Sequence, residues 1–110
     1  MSGNEYQELA SRTIDKTMTK WEMEDHALKG MVAEMGELNG LYQKGYQGHK
    51  YTEEHYKKET GDILWFIAEY CTVNGWKLDD VMQMNIDKLK ARYPHGFESE
   101  RSLHREENDI

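Results

Sequence analysis

The stretch Leu28-Lys-Gly-Met-Val-Ala-Glu-Met-Gly-Glu-Leu-Asn-Gly-Leu-Tyr42 decides the fold. Its apolar residues Leu28, Met31, Val32, Met35, Leu38 and Tyr42 recur at intervals of three and four, which traces one face of an α-helix; a strand would alternate every second residue. The same period runs outward in both directions. Upstream, Tyr6, Leu9, Ala10, Thr13, Ile14, Thr17 and Met18 form one amphipathic face, and Thr19 and Trp21 mark a break before the helix that holds the quoted stretch. Downstream, that helix fades at Gly45 and Gly48, and Thr52 is the N-cap of a third helix with Glu53 and Glu54 in its first turn. Its stripe is Tyr56, Ile63, Phe66, Ile67 and Tyr70. Asn74 and Gly75 end it, and Asp79 and Asp80 open a fourth helix whose face is Leu78, Val81, Met82, Ile86 and Leu89. Pro94, the sole proline, stops that helix. The expected class is therefore all-α, a bundle of four to five helices.

A chain of 110 residues builds one core. The expectation is a single domain over 1–110, with its core at about 5–97 and an irregular, charged tail at 98–110. The longest apolar run, Ile63 to Ala68, is far below the roughly 20 residues of a membrane-spanning helix, and the start of the chain lacks a basic, apolar leader. With one cysteine, Cys71, read as a buried and inert thiol, this points to a cytoplasmic protein. A net charge of −7 repels nucleic-acid phosphates, and no basic stripe offsets it. It still admits a small polyanion that binds through divalent cations, which reverse the local field.

The chemistry sits beside the helical stripes. Glu34 and Glu37, three apart, share one side of the second helix, and Glu59 and Asp62 repeat the arrangement on the third. Two such helices packed antiparallel bring four carboxylates together, which is electrically tolerable only with a cation between them. An all-oxygen set favours Mg²⁺ or Mn²⁺ over zinc. Either acidic pair alone is an ordinary solvated face; the repetition at the border of two buried stripes is what gives it weight. On the fourth helix Asn85, Lys88 and Arg92 share one side, as salt-bridge partners of a neighbouring helix or as contacts for bound phosphate. Trp65 lies on the side of Asp62, where it either packs in the core or stacks on a base. The histidines form no Glu-x-x-His or His-Glu-x-x-His pattern, and no phosphate loop is present.

Three segments together resemble the MazG-like nucleotide pyrophosphohydrolases. They are Gly30-Met-Val-Ala-Glu34-Met-Gly-Glu37-Leu, Glu59-Thr-Gly-Asp62-Ile-Leu-Trp-Phe, and Asn85-Ile-Asp-Lys88-Leu-Lys-Ala-Arg92-Tyr-Pro-His-Gly-Phe97. The likeness extends from about Tyr6 to Phe97. It implies a helical fold assembling as a homodimer or homotetramer, and cleavage of a nucleoside triphosphate to the monophosphate and pyrophosphate. It also implies magnesium at Glu34, Glu37, Glu59 and Asp62. Lys88 and Arg92 match basic positions that hold phosphate oxygens, with Asn85 at sugar or phosphate, and Glu37 or Glu34 is the candidate base. The rival readings are a non-enzymatic helical assembly module and a pyrimidine-selective dUTP or dCTP pyrophosphatase on the same scaffold.

Overall fold

Three hydroxyl caps set the helix starts in the computed structural model, which describes residues 1–104 and 109–110. The first helix, α1 (Gly3–Ser11), begins at Ser2, whose Oγ accepts the Glu5 N–H at 3.0 Å while the Glu5 carboxylate accepts the Ser2 N–H. Thr19 and Glu22 repeat that reciprocal pair at the start of α2 (Lys20–Tyr46). Thr52 caps α3 (Glu53–Val73) by accepting the His55 N–H at 3.2 Å. Two glycines supply the left-handed backbone that ends the long helices. Gly48 (φ 95°) follows α2 and Gly75 (φ 72°) follows α3. In both places the next amide turns back to the third-last helical carbonyl, His49 to Lys44 at 3.1 Å and Trp76 to Cys71 at 2.9 Å.

The fourth helix, α4 (Leu78–Arg92), has no side-chain cap of its own. Its first amides are instead capped from α1. The Leu78 N–H donates to Gln7 Oε1 at 2.8 Å and the Asp79 N–H to Asn4 Oδ1 at 3.0 Å, while Asp79 Oδ1 accepts the Asn4 N–H at 3.1 Å. Orphan donors that every helix start leaves open are thus satisfied by a distant segment. Gln7 also donates to the Trp76 carbonyl and to Thr72 Oγ1, so α1 clasps the whole α3–α4 turn.

The long helices α2 and α3 form an antiparallel hairpin. Gly30 meets the ring of Phe66 at mid-seam, where a Cβ on Gly30 would lie 2.2–2.5 Å from three ring atoms. Only a bare backbone allows that approach. Ala27, Leu41, Ala68, Cys71 and Leu78 are the buried apolar residues, and burial pushes the Cys71 thiol up from its ordinary pKa, as expected for an unreactive cysteine. This core is small. Leu28, Val32 and Met35 on α2 and Met82, Met84, Ile86 and Leu89 on α4 are exposed, Val32 at 71% and Met84 at 72%.

Two local expectations are corrected. The first helix stops at Ser11, leaving Thr13, Ile14, Thr17 and Met18 in a connecting turn. Hydroxyls of Ser11 and Thr13 bond back to the carbonyls of Glu8 and Ala10, and Asp15 accepts both the amide and the hydroxyl of Thr17. These local side-chain bonds compete with helix continuation. The charged tail includes a short helix, α5 (Ser99–Leu103); the part of the tail at 105–108 lies outside the described residues. Among the described residues, no helix is long and apolar enough to cross a membrane.

Candidate active site

Beside the Gly30–Phe66 contact, α2 contributes Glu34 and α3 contributes Glu59 and Asp62. One carboxylate oxygen from each lies within 4.8 Å of the other two. Glu34 Oε2 and Glu59 Oε2 are buried and accept no hydrogen bond among the described residues. A buried carboxylate oxygen with no donor is costly, and a cation among the three acids would relieve that cost. The span fits an ion with oxygen ligands at roughly 2 Å, and the donor set is all oxygen, which suits a hard divalent metal. Glu37, one turn beyond Glu34, is exposed and acts on the same group.

The electrostatic consequence falls on Glu34. Its carboxyl is pushed up to about 7, first by burial, then by the charges of Glu37 and Asp62, a hydrogen bond with Glu37, and the charge of Glu59. Metal-free, the folded protein therefore holds a proton that the unfolded chain, with an ordinary value of 4.5, releases. Between those two values stability falls as pH rises, and above about 7 the whole penalty is present. In the presence of a chelator, Tm is expected to be lower at pH 8 than at pH 5.5 by more in the parent than in Glu34→Gln. Identical pH slopes in the two proteins would contradict this origin.

The surrounding groups position the acids. His55 Nε2 lies 3.4 Å from Glu59 Oε1, the other oxygen of that carboxylate. Tyr6 on α1 is close enough to Asp62 that its phenol is raised by burial and by that charge, which places α1 along one wall. Trp65 stands one turn after Asp62. Its indole N–H donates to the Ala10 carbonyl at 3.2 Å and to Thr13 Oγ1 at 2.9 Å, so its polar edge ties α1 to α3. Deeper along the seam, Glu69 is 1% exposed, with His26 Nδ1 at 2.8 and 3.2 Å from its two oxygens. A glutamate within Phe66-Ile-Ala-Glu-Tyr-Cys71 resembles a stray surface charge in the sequence; its seven-residue offset from Asp62, two helical turns on the same face, was the available signal.

Among the described residues, no contact brings the basic row into this cluster. Asn85 and Lys88 are exposed along α4, which is anchored at its start. Arg92 is held in a bidentate pair by Asp109, with Nε and Nη2 at 2.8 and 2.7 Å from the two carboxylate oxygens. That partner is in the tail and not on a neighbouring helix.

A family model described as the MazG nucleotide pyrophosphohydrolase domain matches residues 4–97. No curated protein and no solved structure matches the chain significantly. The match takes in α2, α3 and α4 entire and α1 from its second residue, and so both acidic helices that build the cluster. The chain accordingly belongs to the MazG nucleotide pyrophosphohydrolase family.

Proposed function

We propose that the protein hydrolyses nucleoside triphosphates, ribo- or deoxyribo-, between the α and β phosphates, with Mg²⁺ or Mn²⁺ held by Glu34, Glu59, Asp62 and Glu37. The observation that carries this reading is the convergence of three carboxylates from two helices, with two buried oxygens that have no donor among the described residues. A bound divalent ion would supply charge neutralisation of the triphosphate and a more acidic water. The chain's own part is to hold the acids on rigid helices, with α1 and Trp65 walling the cleft. Glu34 and Glu37 are the candidate general bases. Lys88 and Asn85, exposed on α4, are free to meet phosphate oxygens of a substrate.

Assembly into a homodimer or homotetramer, in the cytoplasm, belongs to the same reading. Support comes from the exposed apolar stripes of α2 and α4, too extensive to leave to water on so small a chain. A partner subunit packed there would also bring basic residues of α4 toward an acidic cleft. Ile86→Asp is expected to shift the protein to a monomer in light scattering while preserving its helical circular dichroism. A variant that keeps the parent's mass would place the interface elsewhere.

The deciding experiment is pyrophosphate release from a panel of canonical and modified nucleoside triphosphates with Mg²⁺. Release with formation of the monophosphate supports the enzyme. No release from any member would favour a non-enzymatic assembly module.

A further inference from the structure

Alongside the acidic cluster a cleft of about 470 Å³ opens on the α2 flank, lined by Trp21, His26, Gly30 and Ala33 among others. Its volume is in the range of small-molecule sites. Gly30, in the cleft lining, precedes Glu34 by four residues, so the two lie one turn apart on the same side of α2. His26 precedes Glu34 by eight residues, which sets them about 12 Å apart along the axis. That is comparable to the reach of a nucleotide from its phosphates across the sugar to the base.

His26 is held from three directions. Glu69, wholly buried, takes Nδ1. The Phe66 and Trp65 rings meet the imidazole edge-on, at 5.5 and 6.5 Å between centroids. With Nδ1–H donated to Glu69, Nε2 is the ring nitrogen left over, and it makes no hydrogen bond among the described residues. The side chain is 46% exposed. A buried carboxylate is an expensive way to stabilise a core, since an apolar side chain of similar size does it as well. It is an effective way to fix the tautomer and orientation of a histidine that must present its other nitrogen.

The cleft's other groups decide what that nitrogen meets. Lys29 is already paired with Asp25 at 2.7 Å, and Glu22 adds a further negative charge, so the cleft is no phosphate subsite. Trp21 offers an indole that is 72% exposed, and Ala33 is a small residue in the cleft wall. Building on the triphosphate reading above, we propose that this cleft is the nucleobase subsite. His26 Nε2 accepts a hydrogen bond from a base N–H, Trp21 supplies a stacking face, and Glu69 is the positioning residue for His26.

The test separates this proposal from the hydrolytic reading by measuring affinity and not turnover. Calorimetric titrations of the Mg²⁺-loaded protein would use the α,β-methylene analogues of dUTP, dCTP, dATP and dGTP, with inorganic tripolyphosphate as the ligand without a base. His26→Ala is expected to weaken the tightest-binding analogue about tenfold, the order of one buried hydrogen bond, and to leave tripolyphosphate within twofold. His26→Gln, whose amide can donate to Glu69 and present an oxygen to the cleft, should recover most of the loss. Equal weakening of both ligands, no weakening of either, or no binding of any analogue would overturn the subsite. If nucleotides bind with this dependence on His26 yet none is hydrolysed, the subsite stands and the enzymatic reading falls.

Discussion

Pyrophosphate release by Glu59→Gln or Asp62→Asn is expected to fall at least about 100-fold, roughly 2.7 kcal/mol of transition-state stabilisation, with the helical fold intact. Each substitution keeps the side chain's size while removing one anionic oxygen from a cluster spanning 4.8 Å. The metal-free protein should lose no thermal stability and gain some, because one like charge is withdrawn from beside Glu34, whose carboxyl the neighbouring acids already push up. That opposition separates a metal site from a structural ion pair, where removing one partner strands the other and costs stability. Divalent ions should raise the Tm of the parent and much less that of the variants. Activity within threefold of the parent in both variants would remove these residues from the mechanism.

The second large effect is structural. Gly30→Ala would place a methyl 2.2, 2.4 and 2.5 Å from three atoms of the Phe66 ring. In an exposed helix the same change gains about 0.5–1 kcal/mol. Here the ring has His26 and Trp65 against it, at 5.5 and 5.0 Å between centroids, and little room to move away. A net loss of about 2–4 kcal/mol is therefore expected in urea unfolding, together with reduced turnover, since the seam would part between the acids and the His26–Glu69 pair. Adding Phe66→Leu should return part of the loss. A Gly30→Ala protein as stable as the parent would show that the ring swings clear and that glycine does not set the spacing of the two helices.

The long helices and their ends were legible because they follow from local chemistry. Thr52, Gly48, Asn74, Gly75 and Pro94 act on backbone within a few residues of themselves, and so leave a local mark. The two acidic pairs were legible for the same reason, each being a spacing of three on one helix. The grouping of Glu34, Glu59 and Asp62 follows from an antiparallel hairpin, while Glu37 lies outside that group of three. What was hidden depends on residues far apart. Nothing local marks Gln7 and Asn4 as caps for the amides of α4, because the bonds span 71 and 75 positions. Trp65 could be placed beside Asp62, but not the carbonyl its indole would find on α1. The pairing of His26 with Glu69 across the seam was invisible because a glutamate in an apolar run carries no sign of its partner.

The clasp of α1 over the α3–α4 turn also orders events during folding. The hairpin of α2 and α3 closes through a loop of six residues between Tyr46 and Glu53, so it assembles early and with little loss of chain entropy. Asn4 and Gln7 reach their acceptors and donors only when segments more than sixty positions away are already in place. Docking of α1 is then expected to follow the rate-limiting barrier, so that Asn4→Ala or Gln7→Ala acts on the unfolding limb of a chevron plot. The wall beside the acids would be the first part of the fold to open, in amide exchange as in unfolding.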